Sequence, residues 1–326
     1  MMTEEIASNL YRIEIPLPNN PLRSINSYVI KAPDRNLLID TGMNREECLN
    51  AMGVGLRKLG VHLDKTDFFL THFHIDHTGL VSRLKTDKSK IYFNQQEADI
   101  LNRAEFNARL ADMISFTRMS GFPENELQEI KLNHPAHKYG LKGSIPFKIL
   151  GDEDTITIGN YLFKCLKTPG HSKGHTCLYE PNKRILVAGD HILKDVTPSI
   201  QLRSDEENPL KEYLESLGKV YQLEIELVLP GHRRIFKECK ERIKELKEHH
   251  QTRMDEIVSI LAASSQNAYQ VAQQISWDVT YECWDLFPVL QKWFAIGEAD
   301  AHLKYLEEKG VVHKEIEEQK RVYSLN

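Results

Sequence analysis

The chain has 326 residues, 41% of them apolar, and carries a formal net charge of −5. This length allows one large domain and a smaller one, and the negative charge excludes a general attraction to nucleic acid or anionic lipid. The sequence contains no apolar run of transmembrane length, and its first residues lack the basic and apolar regions of a signal peptide. Five widely spaced cysteines without a CxxC pair suit a reducing compartment. We therefore expect a cytoplasmic protein with no membrane partner.

The first part of the chain predicts strands and one helix. Alternating apolar and polar side chains predict strands over residues 10–15 and 26–30, and the apolar run 37–39 predicts a short buried strand. That run ends in the turn Asp40-Thr41-Gly42, and an amphipathic helix is expected over about 44–60. A second apolar run, 68–70, predicts another buried strand, and residues 80–84 are expected to open a helix.

Between that strand and that helix lies a run of six residues containing His72, His74, Asp76 and His77. The ends of strands are where open α/β sheets build their sites. Side chains two apart in extended chain point to the same side, whereas the later pair follows a turn and approaches from another direction. Histidines in loops are often ordinary hydrogen-bonded residues, but four potential ligands in six residues predict a metal centre, with one ion on each pair.

A long segment, 95–145, is inserted between core strands, after a predicted strand over 90–93. Residues 95–117 are helical by composition, and the stretch to about 142 is predicted to be irregular because of its prolines and glycines. Insertions of this size often cover a site, so we interpret it as a lid or substrate wall. Its large apolar side chains either line an acyl pocket or form the core of the lid itself: Phe106, Met113, Phe116, Met119 and Phe122.

Three more predicted strands end in potential ligands. A hairpin over 154–158 and 161–166 leads into Thr168-Pro169-Gly170-His171, and the buried strand 184–189 ends at Asp190. A helix is expected from Pro209 to about 222. The strand 225–229 follows and ends in Pro230-Gly231-His232.

The order of these motifs along residues 1–236 resembles that of the metallo-β-lactamase-fold hydrolases, the glyoxalase II branch in particular. The resemblance implies an α/β fold, a four-layer αββα sandwich with a centre of two metal ions. It assigns one metal to His72, His74 and His171, the other to Asp76, His77 and His232, and a bridging position to Asp190. An aspartate rather than a cysteine at the bridging position argues against a dedicated β-lactamase.

Other polar residues flank these ligands. By resemblance, Asp40 would orient a ligand histidine; alternatively it caps the helix expected near Asn44. His175 could support a ligand or bind substrate, although a structural hydrogen bond suits it better. His191 is expected to point away from the metals because it follows a ligand along a strand.

Three cations also lie beside ligands and could hold a substrate carboxylate or phosphate. They are Lys173, Arg233 and Arg234, and we expect at least one of them to be only a solvated charge at the rim.

Residues 237–326 read as a second, winged-helix-like domain. Helices are expected over 238–263, from Asn267 and over 293–309, followed by a hairpin formed by 311–315 and 320–325. Residues 241–326 contain ten lysines and arginines and fifteen aspartates and glutamates, which gives this part a net charge of −5. Phosphate binding depends on cations, so we expect no duplex DNA partner and instead a role in packing or in a homodimer.

The ligand set predicts hydrolysis of a small-molecule substrate. Two divalent ions about 3.5–4 Å apart would hold a hydroxide nucleophile, and Asp76 or Asp190 could hold the water and pass a proton to the leaving group. The imidazole-rich shell favours zinc, although iron and manganese also suit it. A thioester or carboxylic ester is the first choice of substrate. The alternative is an endoribonuclease or phosphodiesterase, and a binding protein without catalysis is disfavoured because every ligand position is filled.

Overall fold

Two β-sheets lie at the centre of the computed structural model, which describes residues 3–101, 103–278 and 281–326. The first sheet has seven strands in sequence order: β1 (Thr3–Ala7), β2 (Leu10–Pro16), β3 (Ser24–Ile30), β4 (Asn36–Ile39), β5 (Thr66–Phe69), β6 (Ile91–Phe93) and β7 (Lys148–Ile149). Strands β1 to β4 are antiparallel, and β4 to β7 are parallel. Since β4, β5 and β6 run in parallel, their carboxyl ends meet at one edge.

The second sheet has five strands in the order β12-β11-β10-β9-β8. They are β8 (Thr155–Ile158), β9 (Tyr161–Lys167), β10 (Thr176–Glu180), β11 (Ile185–Gly189) and β12 (Leu227–Pro230). The neighbours β11 and β12 are parallel, so the segments that follow them emerge side by side.

Helices flank both sheets. Those before β12 are α1 (Glu46–Leu59), α2 (Ile75–Thr78), α3 (Val81–Leu84), α4 (Gln95–Leu101), α5 (Arg103–Met119), α6 (Glu124–Asn133), α7 (Pro135–Tyr139) and α8 (Pro209–Tyr221). The C-terminal part contains α9 (Cys239–Leu261), β13 (Gln266–Asn267), α10 (Ala268–Gln274), α11 (Val289–Glu308), β14 (Val312–Glu317) and β15 (Lys320–Leu325).

Alternating side chains divide the interior into layers. In β4, Leu37 and Ile39 enter the core between the two sheets, whereas Leu38 enters the core beneath α1. In β11, Val187 faces the other sheet and Leu186 packs with side chains of α8. Side chains on a strand alternate between faces, so each sheet contributes to two cores. The predicted αββα sandwich is confirmed.

The inserted segment is more helical than predicted. The segment expected to be helical over 95–117 contains α4 and α5, on either side of residue 102, whereas the stretch expected to be irregular contains α6 and α7, so the prediction of an irregular stretch is wrong. Its prolines lie where helices begin: Pro123 is the N-cap of α6, and Pro135 is at the first turn of α7. Proline is tolerated there because the first N–H groups of a helix have no intrahelical acceptor.

The insertion shares a core with the C-terminal part. Ile114 of α5 and Leu127 of α6 are buried with Ile257 of α9 and Trp293 of α11. The indole N–H of Trp293 donates to Thr117 at 3.0 Å. Residues 110–130 therefore pack on the C-terminal helices.

The apolar side chains singled out in the insertion contribute to that packing. Met113 and Phe122 belong to the shared core, and Phe116 packs against the core beneath α8. Met119 is partly buried, and the side chain of Phe106 lies outside the described residues.

The C-terminal elements follow the predicted order. Asn267 caps α10 in a capping box with Gln270, as its preference for helix starts favours. The hairpin β14–β15 forms with β13 a three-stranded sheet in the order β13-β15-β14. The winged-helix interpretation stays a prediction. None of the helices in the described ranges combines the length and apolar composition needed to cross a bilayer.

Candidate metal centre

All seven predicted ligands lie together at the carboxyl ends of the central strands. The run after β5 supplies four of them, with Asp76 and His77 in α2. His171 follows β9, Asp190 follows β11 and His232 follows β12. Donor atoms of these residues form three overlapping groups, in each of which they lie within 4.8 Å of one another: His72, His74 and His171; His72, His77 and Asp190; and Asp76, His77 and His232.

The first group is a triangle of imidazole nitrogens. His74 Nδ1 lies 2.9 Å from His72 Nε2 and 3.0 Å from His171 Nε2. On the far side of its ring, His171 Nδ1 lies 2.8 Å from the Ser199 carbonyl, which can only accept. The proton is therefore on Nδ1, and the Nε2 lone pair is directed into the triangle.

The group of Asp76, His77 and His232 is called the second group from here on, and in it His77 and His232 are each held through Nδ1. His232 Nδ1 donates to the Ser24 carbonyl at 2.7 Å, and His77 Nδ1 lies 2.7 Å from Asp40 Oδ2. Both leave Nε2 directed at the centre. His232 Nε2 is 3.4 Å from Asp76 Oδ2.

Asp190 lies between the two groups. Its Oδ2 is 3.4 Å from His232 Nε2, 3.5 Å from His77 Nε2 and 3.7 Å from His171 Nε2. No other carboxylate oxygen in the described residues approaches histidines of both groups in this way. This is the position that a bridging ligand requires.

The chemistry of these donors fits divalent cations. His77 Nε2, His232 Nε2 and Asp190 Oδ1 are buried without a hydrogen-bond partner among the described residues. Leaving such an atom unpaired costs about 1–3 kcal/mol, and a bound cation would offset that cost for the two imidazole nitrogens. Burial lowers the pKa of His72 and of His74 well below the ordinary value, so both are neutral, as metal ligands must be.

Charge around the second group also favours a cation. Burial opposes the charged form of His77, but Asp40 and Asp190 outweigh it and raise the pKa of His77 well above its ordinary value. The carboxylates thus stabilise positive charge at this point, in agreement with a metal position.

Close backbone approach allows the centre to form. A Cβ added at Gly231 would collide with Asp190 Oδ1 and would lie 2.8 Å from His77 Cε1. At Gly189, which has a φ of +49°, a Cβ would lie 2.7 Å from His175 Nε2. Glycine is therefore required beside these ligands.

Asp40 contacts the centre through His77 and Thr71. One carboxylate oxygen accepts the Thr71 N–H at 2.9 Å, and the other accepts the Thr71 hydroxyl at 2.8 Å and contacts His77. Helix α1 instead begins after Arg45 without a side-chain cap. The capping alternative is wrong, and Asp40 lies where it can orient His77.

Replacing Asp40 with asparagine is expected to weaken metal binding by about 10- to 100-fold, because the charged partner of His77 is lost. Asparagine tolerates the left-handed φ of +54° at this position, so the backbone is preserved. Competitive titration with a chromogenic chelator measures the change. Asp67→Asn, which disturbs the ion pair with Arg35, is the control; equal metal affinity in wild type and Asp40→Asn would contradict this role.

His175 makes hydrogen bonds within the fold. Its Nδ1 donates to the Thr168 hydroxyl at 2.8 Å, and its Nε2 accepts the Asp190 N–H at 3.2 Å. Burial lowers the pKa of His175 well below the ordinary value, which agrees with a neutral ring. Both nitrogens are occupied, so His175 supports the Asp190 backbone.

His191 lies away from the metal ligands, but for a different reason from the one predicted. Strand β11 ends at Gly189, and the His191 N–H donates to the Ala188 carbonyl at 2.9 Å, closing a turn. The His191 ring packs edge-on against Tyr213, with centroids 5.3 Å apart. A turn, and not strand alternation, directs this side chain.

The three cationic side chains predicted to bind substrate each have a partner within the protein. Lys173 pairs with Glu207 at 3.1 Å, and Arg234 pairs with Asp195 at 2.8 Å, both at exposed positions. Arg233 donates to the carbonyl of Pro21 at 2.8 Å.

Glu97 is a supporting residue that the sequence analysis missed. It lies in α4 and is fully buried. One carboxylate oxygen accepts the Phe73 N–H at 2.7 Å, and the other accepts the Ser172 hydroxyl at 2.9 Å and the Gly174 N–H at 2.5 Å. Glu97 thus joins the two ligand loops. The sequence feature that could have identified Glu97 is its position just after β6, because the carboxyl end of β6 lies at the same sheet edge as that of β5.

The chain is similar to known proteins over most of its length. A model of the metallo-beta-lactamase superfamily matches residues 20–232. "Probable metallo-hydrolase YqjP" from Bacillus subtilis (strain 168) is 25% identical over 323 residues, 94% of this chain and 93% of that protein. "Acyl-coenzyme A thioesterase MBLAC2" from Homo sapiens is 23% identical over 231 residues, 64% of this chain and 72% of that protein. A metallo-beta-lactamase family protein from Thermus thermophilus superposes with a TM-score of 0.82 and 25% identity, covering 99% of this chain and 100% of that one.

The family match covers the segment that supplies the seven clustered ligands and ends on His232. The solved structure extends the likeness across nearly the whole fold. Related proteins of the superfamily are named as hydrolases, and the histidine and aspartate groups of this chain could hold metal ions. The chain belongs to the metallo-beta-lactamase superfamily.

Proposed function

We propose that the chain is a hydrolase that uses two divalent ions, zinc in the first instance, to cleave a small-molecule thioester or carboxylic ester. The observation that carries the proposal is the position of Asp190 between two groups of histidines. Support for the substrate class comes from the human relative named as an acyl-coenzyme A thioesterase. A single ion would leave one group of donors unused.

The residues of the proposed site divide the work. His72, His74 and His171 would hold one ion, and Asp76, His77 and His232 the other, with Asp190 touching both. Bound there, divalent ions lower the pKa of a water molecule and polarise a carbonyl.

Asp76 or Asp190 is the proposed proton carrier. Burial tends to raise the pKa of Asp76, but His232 and His77 outweigh it and lower that pKa to about 2. Asp76 is therefore ionised at neutral pH and can orient water by accepting a hydrogen bond at Oδ2. The proton lost by the attacking water would pass to this carboxylate and from it to the leaving group.

The remaining features follow the same interpretation. We propose that residues 1–236 form the catalytic domain and residues 237–326 support the insertion and a homodimer. The glyoxalase II-like relationship and the cytoplasmic location stay predictions. The acidic balance of residues 241–326 supports a small-molecule substrate over duplex DNA.

A substrate panel tests the proposed function. Protein purified without added metal is analysed for zinc, iron and manganese and assayed on thioesters, carboxylic esters, lactones, phosphodiesters and single-stranded RNA. We expect about two ions per chain and hydrolysis of thioesters or carboxylic esters that a chelator abolishes and the ion restores. Preferential cleavage of RNA or a phosphodiester, or full activity without metal, would overturn the proposal.

A further inference from the structure

Arg203 lies in the loop between Asp190 and α8, beside the first group of ligands. This loop is anchored at two points. The Ser199 carbonyl accepts from His171, and the Leu202 N–H donates to the Gly297 carbonyl of α11 at 3.0 Å. The loop is therefore fixed between the metal ligands and the C-terminal helices.

The Arg203 guanidinium lies over the ring of Phe73, 5.4 Å from its centroid. Phe73 separates His72 from His74 in the chain, so the cation is next to the ligand run. Arg203 thus lies on the side of the centre formed by the imidazole triangle.

No described residue forms an ion pair or accepts a hydrogen bond from Arg203, and its Nε is buried without a partner. The nearby carboxylates are already used. Glu97 accepts from both ligand loops, and Glu207 pairs with Lys173. An unpaired, partly buried guanidinium is costly.

Two other sheltered arginines of this chain have carboxylate partners. Arg35 pairs with Asp67 at 2.6 Å, and the fully buried Arg321 lies 3.4 Å from Asp300. Stacking on Phe73 alone satisfies none of the five N–H donors of Arg203. Arg203 therefore has hydrogen-bond donors available to a group from outside the chain.

We propose that Arg203 binds a carboxylate or phosphate of the substrate, so that the site selects acyl compounds with an anionic group near the scissile bond. The guanidinium fork matches both oxyanions with paired hydrogen bonds. Met113, Phe116 and Trp293 line a crevice beside Arg203 that is too small to hold a carboxylate or phosphate, so it forms an apolar boundary of the proposed anion site and not the site itself. This inference deepens the proposed function and rests on it for the acyl part of the substrate.

The test measures binding and needs no turnover. Three non-hydrolysable thioether analogues share one acyl-like half and carry a carboxylate, a phosphate or a neutral amide on the other half. Isothermal calorimetry with the metal-loaded full-length protein should give about 10- to 100-fold tighter binding of at least one anionic analogue than of the amide. The tighter of the two anions identifies the group that the site takes.

Variants assign the preference to Arg203. Arg203→Gln should remove it while leaving amide affinity and metal content unchanged, and Arg203→Lys should restore part of it. Arg118→Gln is the matched control, since that arginine pairs with Glu124 on the exposed face of the insertion. It should bind all three analogues like wild type.

Several outcomes would overturn the inference. They are equal wild-type affinity for all three analogues, an equal loss of anion and amide binding in Arg203→Gln, and loss of metal from both Arg203 variants. The last two would mark a structural role. An anion preference that depends on Arg203 in a protein that cleaves no ester would support Arg203 and refute the proposed reaction.

Discussion

Asp190→Ala is expected to lower hydrolysis by about a thousandfold or more, because several kcal/mol of metal-dependent stabilisation depends on both ions being in place. Its Oδ2 approaches three ligand histidines, one in the first group and two in the second. Loss of this carboxylate should weaken both metals together. Metal content after dialysis against a weak chelator, together with the rate on the best substrate of the panel, measures the effect.

Single-group variants show whether the loss is shared. His74→Ala should mainly reduce binding of the ion held with His72 and His171, and His232→Ala the other ion. His191→Ala is the control, because its side chain packs on Tyr213, away from the ligands, and it should keep nearly normal metal content. If Asp190→Ala retains two ions and full rate, or His191→Ala loses metal as His74→Ala does, the bridging assignment is wrong.

Glu97→Ala is expected to reduce the free energy of unfolding by at least about 3 kcal/mol, because three donors lose their acceptor inside the protein. Two of these donors are backbone N–H groups in the ligand loops, at Phe73 and Gly174. Burial raises the pKa of Glu97, although these donors oppose the shift. These hydrogen bonds therefore fix the two ligand loops, and they offset the unfavourable burial of the Glu97 carboxylate.

Denaturant unfolding in the presence of a chelator separates this effect from metal binding. Asp99→Ala in the same helix is the control. Asp99 is only partly buried and accepts from Gln95 at the surface, so its loss should cost less than about 0.5 kcal/mol. Metal affinity of Glu97→Ala should also fall by about 10- to 100-fold. If Glu97→Ala is as stable as Asp99→Ala and binds metal as tightly, Glu97 does not hold the two ligand loops together.

Local patterns predicted the sheets and the gathering of the ligands well. His72, His74, Asp76 and His77 are close in sequence, and the parallel strands β11 and β12 place Asp190 and His232 side by side. The order of the motifs along the chain and their positions at strand ends were enough to predict that these ligands lie together.

Contacts between distant segments left no comparable signal. Arg203 and Glu97 gain their roles from loops far away in sequence, and each resembles an ordinary surface charge when read alone. Pro123 and Pro135 were taken as signs of irregular structure, but they lie at the starts of α6 and α7. Proline is common both after the end of one helix and at the beginning of the next, so its presence alone does not distinguish the two cases. Lys173 and Arg234 were favoured by proximity to ligands, but neighbouring carboxylates pair with them.

The core shared by the insertion and the C-terminal helices has a consequence for biosynthesis. All seven candidate ligands have been synthesised once His232 is added, but Ile114 and Leu127 still lack their partners on α9 and α11. Protein synthesis proceeds from the N-terminus, and domains tend to fold as they emerge. The insertion beside the candidate metal centre can therefore complete its packing only after Trp293 has left the ribosome. A nascent chain could thus complete its set of candidate metal ligands before it forms the surface proposed to select the substrate.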